Sequence, residues 1–297
     1  MRAGMAALVS ILLFCSFMGG AEISGPVTGY LFTDGRLHPI VGLPGAAYAG
    51  RAIWEGLDVA SVAPDGRTAL GVQGGKLVLA KRDAGDWNQK VVGESQADWI
   101  VWSGDSSAAL LLRRSGGEVV IWRAGRLERL GNVEGPVTSA SVGRSGQAAA
   151  VTQGESVLLF GESGLTTQVS GLADPAVAFG DSRLYILDRG TGTLFSKDGL
   201  DSSGPLVVMT VAGARALACG AGRIVLAGRD FVKAFDQATG AEIFSAAAEG
   251  EIKEIELISA NPQVWLVTAT SSPLRFSLLE IGLTPRLAFL PQEGRHE

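Results

Sequence analysis

A polar turn between two apolar strands recurs along this chain about every 40 residues. The clearest copy is the run VAPDGRTAL at 62–70. Equivalent turns centre on Asp65, Asp105, Ser145, Asp181, Ala221 and Asn261. No helical periodicity separates them, and each unit contains four strand candidates. Such spacing predicts an all-β protein in which each unit is one four-stranded blade of a β-propeller.

The strands within each unit differ in composition. The first is rich in small residues, as in 60–62 and 176–178, which suits the crowded inner end of a blade. The second is an almost unbroken apolar run, as in 108–112 and 264–267, and this pattern predicts a strand that is buried on both faces. Forty-one glycines are about twice the usual share, as many tight hairpins require.

Six complete units span residues 57–290, and a shorter segment at 22–56 precedes them. The segment 29–41 copies the outer hairpin seen at 119–130, so we expect 22–56 to form the outer part of a partial blade that helps to close the ring. Its inner strands would then be missing or supplied from elsewhere. We favour seven blades. The alternative is a six-bladed ring with this hairpin packed against its side.

The first residues predict export. An apolar stretch at 5–18 follows Arg2, and Gly19 and Ala21 place small residues before a cleavage point at Glu22. We therefore expect a signal peptide at 1–21 and a single mature domain at 22–297, located in the periplasm or outside the cell. Cys15 leaves a lipoprotein as the alternative.

Composition narrows the class of partner. A formal net charge of −5 and the lack of a basic run argue against nucleic acid. No second apolar run is long enough to predict a membrane span after cleavage. Cys219 would remain as the sole cysteine, which excludes an intramolecular disulfide, and we expect a monomer.

Two segments resemble known repeat families. The phrase 62–67 resembles the S-P-D-G-R/K turn of WD40-like and TolB-like propeller repeats. The segment 234–244 is similar to the D-x-x-T-G-x-x-x-W repeat of quinoprotein-like propellers, with Phe244 in place of tryptophan. The Gly-His and Trp-Asp signatures of WD40 repeats are absent. The resemblance implies a propeller fold and carries over no active site.

Residues for catalysis are scarce. The two histidines are His38 and His296, and neither is predicted to lie beside a nucleophile. Cys219 has no other zinc-ligand type nearby in the sequence. We therefore predict no catalytic, cofactor-binding or metal-binding residue, and no cofactor.

The candidate partner-facing residues are aspartates and tryptophans. Asp65, Asp105 and Asp181 recur at equivalent turns and would ring one face, where they could bind a cation or a basic partner. The alternative, which we favour, is that they bond to the backbone of their own turns. Trp87 lies in a polar context, and Trp99 and Trp102 lie near an inner strand end, where we expect a channel mouth.

Two functions remain open. The first is an exported, non-enzymatic propeller that binds a protein or peptide partner with the face that carries the recurring turns. The second is a propeller enzyme, either a hydrolase or lyase that uses channel carboxylates or a degenerate quinoprotein-type dehydrogenase. Carboxylates can do acid and base work without histidine.

Overall fold

The computed structural model describes residues 25–291, apart from 84, 201–203, 261–262, 271–273 and 283. Seven antiparallel sheets form the ring of a β-propeller, and the described residues contain no α-helix. This confirms the predicted all-β class and the seven blades. The predicted signal peptide at 1–21, the turn residue Asn261 and His296 lie outside the described residues.

Each blade is built from consecutive strands, beginning at the central channel and ending at the outer wall. Blade 1 contains β1 (Val27–Thr33), β2 (Arg36–Val41), β3 (Tyr48–Ala49) and β4 (Trp54–Glu55). Blade 2 contains β5 (Val59–Val62), β6 (Thr68–Gln73), β7 (Lys76–Asp83) and β8 (Asp86–Glu94). Blade 3 contains β9 (Trp99–Trp102), β10 (Ala108–Leu112), β11 (Gly117–Arg123) and β12 (Arg126–Val133). Blade 4 contains β13 (Ala140–Val142), β14 (Ala149–Gln153), β15 (Ser156–Gly161) and β16 (Gly164–Ser170).

The remaining three blades follow the same order. Blade 5 contains β17 (Pro175–Phe179), β18 (Arg183–Asp188), β19 (Thr193–Asp198) and β20 (Leu206–Thr210). Blade 6 contains β21 (Ala216–Gly220), β22 (Arg223–Ala227), β23 (Phe231–Asp236) and β24 (Glu242–Ala247). Blade 7 contains β25 (Glu251–Ala260), β26 (Gln263–Thr270), β27 (Arg275–Glu280) and β28 (Arg286–Leu290).

Blade 1 corrects one expectation from the sequence. Its hairpin is the inner part of the blade, because β1 contacts the inner strands β5 and β25 on either side. The third strand position of this sheet is shared by β3 and β4, which both pair with β2. No outer strand follows them among the described residues. The physical reason is that ring closure needs an inner strand between its two neighbours, whereas a missing outer strand leaves only one sheet edge uncovered.

The core lies between blades rather than within them. The second strands are buried on both faces, as β10 shows with all five residues buried, and this confirms the two-sided burial predicted from composition. Leu31 and Ile40 of blade 1 pack with Ile258 and Leu278 of blade 7, so this interface closes the ring. Because each fully buried large apolar side chain contributes about 1.5–3 kcal/mol, these interfaces make each blade depend on both neighbours.

Candidate functional site

The central channel has two different ends. The end where the inner strands finish carries the recurring turns, which we call the turn rim (the turns at Asp65, Asp105, Ser145, Asp181 and Ala221). The end where the inner strands begin carries a charged opening, which we call the strand-start mouth. It is lined by Trp99, Arg114, Asp174, Arg189, Arg215, Glu251, Lys253 and Glu254.

Asp105 is bonded to its own turn and to the next blade. Its carboxylate accepts hydrogen bonds from the hydroxyls of Ser103 and Ser107, both at 2.7 Å, and from the backbone N–H of Ser145 at 3.0 Å. Partial burial acts to raise the pKa of Asp105, but these hydrogen bonds together hold the pKa below its usual value. The aspartate therefore joins blade 3 to blade 4.

Other turns are joined to neighbours in a similar way. Asp65 accepts from the backbone N–H of Arg67 at 2.8 Å, and its own N–H donates to the hydroxyl of Ser106 in blade 3 at 2.9 Å. The side-chain amide of Gln263 donates to the carbonyl of Ala221 at 3.0 Å. Most polar groups named at the turn rim therefore form hydrogen bonds with other residues of the propeller. Asp65 and Asp105 bond to their own turns, which is the alternative that we favoured from the sequence.

Asp181 is the exposed aspartate of the blade 5 turn, and it acts on Cys219 of blade 6. Burial, with a smaller contribution from the Asp181 charge, raises the pKa of the Cys219 thiol well above its usual value. This thiol is therefore poorly suited to act as a thiolate nucleophile. Within the described residues, no group of three histidines, cysteines or carboxylates is placed to hold a metal ion.

The strand-start mouth contains a stacked cation. Trp99 opens β9, and Arg114 lies in the turn between β10 and β11 with its guanidinium carbon 3.7 Å from the centre of a Trp99 ring. Arg114 also pairs with Glu254 of β25 at 3.5 Å, and its backbone N–H donates to Asp98 at 2.8 Å. Both partners of the ion pair are about 40% exposed, with values of 41% and 38%. The mouth therefore presents a half-buried indole and, stacked on it, a guanidinium that is partly open to solvent.

Further charges surround this group. Arg189 pairs with Asp174 at 3.0 Å and also donates to the carbonyl of Arg215. The side chains of Arg215 and Lys253 are exposed and belong to none of the ion pairs formed among the described residues. The cavity at this mouth has a volume of about 490 Å³. It is large enough for a few side chains of a partner.

Strand β25 carries a second glutamate on the channel side. Glu256 lies on β25 beyond Glu254, and its carboxylate accepts a hydrogen bond from the Ser61 hydroxyl of β5 at 3.4 Å. Enclosure by the channel wall, with the charge of Glu254, raises the pKa of Glu256 from 4.5 to about 7, although Ser61 and Arg114 act in the opposite direction. The residue is nevertheless exposed to solvent. Glu256 can therefore exchange a proton near neutral pH.

The three candidate tryptophans have different positions. Trp99 lines the mouth, as predicted. The structure corrects the placement of Trp102, which is 9% exposed, donates from its indole to the Ser61 carbonyl at 3.1 Å and packs against Trp122 between blades 2 and 3. Trp87 is half-buried, with its ring centre 5.5 Å from that of Tyr30 in an edge-to-face contact. Of the three, only the half-buried Trp99 lines the channel mouth.

Sequence reasoning missed Arg114, Glu254 and Glu256. A signal for the two glutamates was present, because the inner strand of the last unit reads EIKEIE at 251–256, where four of the other units have small residues. Charged side chains at an inner position can point only into the channel or to its mouth. Arg114 had no such signal, since it follows a second strand in sequence and reaches the channel only through the fold.

Comparison with known proteins shows the fold. No family model matches the chain, and no curated protein matches it. The chain is similar to a chain of the mitotic checkpoint complex, with 12% identity, a TM-score of 0.55 and coverage of 84% of this chain and 82% of that one. It is also similar to Kluyveromyces marxianus Hsv2, with 10% identity, a TM-score of 0.56 and coverage of 81% and 75%.

A third similar structure is the C-terminal WD40 domain of Sif2, with 10% identity, a TM-score of 0.52 and coverage of 80% of this chain and 86% of that one. At these identities the likeness establishes a seven-bladed, WD40-like propeller and no activity. Across the described part of the chain, no helix is both long and apolar enough to cross a membrane.

Proposed function

We propose that this propeller is a binding scaffold that holds a protein or peptide partner at the strand-start mouth. The observation that carries the proposal is the contact of Arg114 with both Trp99 and Glu254 at an open channel end. Tryptophan and arginine are the residues most enriched among interface positions that dominate binding energy. The stack and the ion pair hold the guanidinium before a partner arrives, so binding loses less side-chain entropy.

The polar groups of the turn rim are less available to a partner than those of the strand-start mouth. The recurring turns predicted a partner at that face, but Asp65 and Asp105 are bonded within the ring. A partner that used Asp105 would have to replace those bonds. At the mouth, Arg215 and Lys253 remain exposed and available. The similar structures agree with a scaffold role to the extent that one of them was solved within a checkpoint complex.

The test compares capture and affinity for mouth and wall variants. Mature protein is immobilised, a partner is captured from host extract and identified, and its affinity is then measured by titration with purified material. We expect Trp99→Ala and Arg114→Ala each to weaken binding by about 30-fold, the loss typical of a position that dominates binding. The matched controls are Phe289→Ala and Arg275→Ala on the outer wall, with 60% and 53% exposure.

Binding that survives both mouth substitutions and falls with a wall substitution would place the partner elsewhere. Loss in all four variants would point to damaged folding, so each variant is first compared with wild type by circular dichroism.

We further propose that the protein is exported and that residues 1–21 are removed. The apolar run at 5–18 and the small residues at 19 and 21 support this. The intact mass of protein purified from the envelope fraction of the host should correspond to a chain that begins at Glu22. Recovery of the full-length chain from the cytosol would contradict the proposal.

A second function is an enzyme that uses channel carboxylates, and one observation favours it. Burial, with the charge of Glu254, raises the pKa of Glu256 to about 7, close to that of an effective general acid or base. A substrate screen tests this function. Turnover that is lost in Glu256→Gln while partner binding is unchanged would favour the enzyme, whereas absence of turnover together with mouth-dependent binding favours the scaffold.

A further inference from the structure

The outer strand of blade 5 exposes three consecutive apolar side chains. Leu206, Val207 and Val208 of β20 are 70%, 66% and 39% exposed. The strand is the last in its sheet, so one row of its backbone N–H and C=O groups has no strand partner within the described chain. An apolar sheet edge of this kind is a template for pairing with another strand.

The outer strands of blades 2, 3, 4, 6 and 7 each contain polar or charged residues. Strands β8, β12, β24 and β28 carry charged residues, and β16 carries Thr166, Thr167 and Gln168. A bulge interrupts the pairing of β8, β12, β16, β20 and β24 with the strand inside each. Because β20 shares this bulge, the bulge does not distinguish it. What distinguishes β20 is the sequence LVVMT, which has no charge and one hydroxyl.

Self-pairing is compatible with this strand. In an antiparallel contact between two copies, any register within β20 brings apolar residues or Thr210 opposite one another, and no charge meets a like charge. The same contact between two copies of β8 would place Lys90 opposite itself and Asp86 opposite Glu94 when the strands are centred. A two-fold contact also closes after two copies, which covers both edges at once.

We propose that β20 is the contact surface of a homodimer, in which two copies meet edge to edge in antiparallel orientation. The proposal departs from the monomer expected from the sequence. It is independent of the proposed function, because no residue of β20 lines the strand-start mouth.

The exposed area sets the strength of this dimer. The three side chains present on the order of 300 Å² of apolar surface per copy, against about 800 Å² per partner in a stable interface. The dimer therefore dissociates on dilution, with a dissociation constant in the micromolar range or weaker.

The experiment is sedimentation velocity from low micromolar protein to the highest soluble concentration. Wild type should rise from monomer toward dimer mass, and Val207→Lys should remain monomeric throughout. The matched control is Leu165→Lys, which also adds a charge at an exposed apolar position of an outer strand, at 58% exposure on β16. That variant should associate as wild type does.

A second experiment introduces opposite charges at residue 207. Val207→Lys and Val207→Glu should each remain monomeric alone. A mixture of the two should recover dimer mass because, when the two strands pair about Val207, opposite charges face each other across the contact.

Three outcomes would overturn the proposal. The first is wild type that remains monomeric at all concentrations, and the second is a Leu165→Lys variant that loses association together with Val207→Lys. The third is a wild-type mass that grows beyond the dimer, since a closed two-fold contact cannot add a third copy. Folding of each variant is checked by circular dichroism, so that an unfolded variant is not mistaken for a monomeric one.

Discussion

Replacement of Glu256 by glutamine is expected to stabilise the protein at neutral pH and to leave its stability unchanged in acid. The folded chain raises the pKa of this carboxyl from 4.5 to about 7. Below pH 4.5 the group is protonated in the folded and the unfolded state, so it has no effect on the free energy of unfolding. As the pH rises from 4.5 to 7 the unfolded chain loses this proton first, and stability falls.

The magnitude follows from the pKa difference and the surroundings of the group. A shift of this size corresponds to about 3 kcal/mol if solvent has no effect. Glu256 is exposed to channel water, and screening reduces the penalty to about 1–2 kcal/mol. Glutamine keeps the size of the side chain and can accept the Ser61 hydrogen bond, while it removes the charge next to Glu254.

The assay is urea unfolding at about pH 4 and about pH 8, followed by tryptophan fluorescence. Glu254→Gln is the matched control, because Glu254 is partly exposed and paired with Arg114. Loss of that ion pair should cost about 1 kcal/mol or less, and removal of its charge should weaken the pH dependence of Glu256. The reasoning is refuted if Glu256→Gln unfolds at the same urea concentration as wild type at both pH values, or if it is destabilised equally at both.

Three further substitutions test the packing, again by urea unfolding. Trp265 is fully buried between blades 6 and 7, so Trp265→Ala should cost about 3–5 kcal/mol. Trp265→Phe should cost much less because the indole N–H has no acceptor among the described residues, and equal losses would contradict this. Gly29→Ala would place a methyl group 2.6 Å from Ile258 Cδ1 at the interface between blades 1 and 7, and this clash should lower the free energy of unfolding by about 1–3 kcal/mol. The loss should be smaller when Ile258 is also replaced by alanine, and additive losses would rule out the clash. Asp105→Ala should cost about 1 kcal/mol above pH 3.8. Because folding lowers the pKa of Asp105 below 3.8, this loss should decrease as the pH falls from 3.8 through the lower folded-state pKa; a loss that is unchanged in acid would show that the carboxylate charge is not involved.

The recurring turns made the blades predictable because they reflect local chemistry. Asp65 and Asp105 bond to backbone or hydroxyl groups two residues along the chain, and such contacts form without the rest of the fold. The apolar second strands likewise identify burial on both faces before any partner is known. The same local logic failed for the hairpin at 29–41, since inner and outer hairpins are alike in composition and only the neighbours β5 and β25 distinguish them.

The candidate site depended on contacts that cross the ring. Trp99 and Glu254 are more than 150 residues apart, and Arg114 joins them only because seven inner strands begin around one opening. Trp102 lies three residues from Trp99, yet it is buried between blades because successive side chains of a strand meet different surroundings.

The sequence by itself determined the four-stranded blades, because each blade is a series of hairpins whose turns and apolar strands are set by residues close together in the chain. Tertiary structure alone decided which strand of the first blade faces the channel and which charged side chains meet at the mouth of that channel. Those features depend on stacking between units, and the free energy of that stacking comes from residues that are distant in the chain.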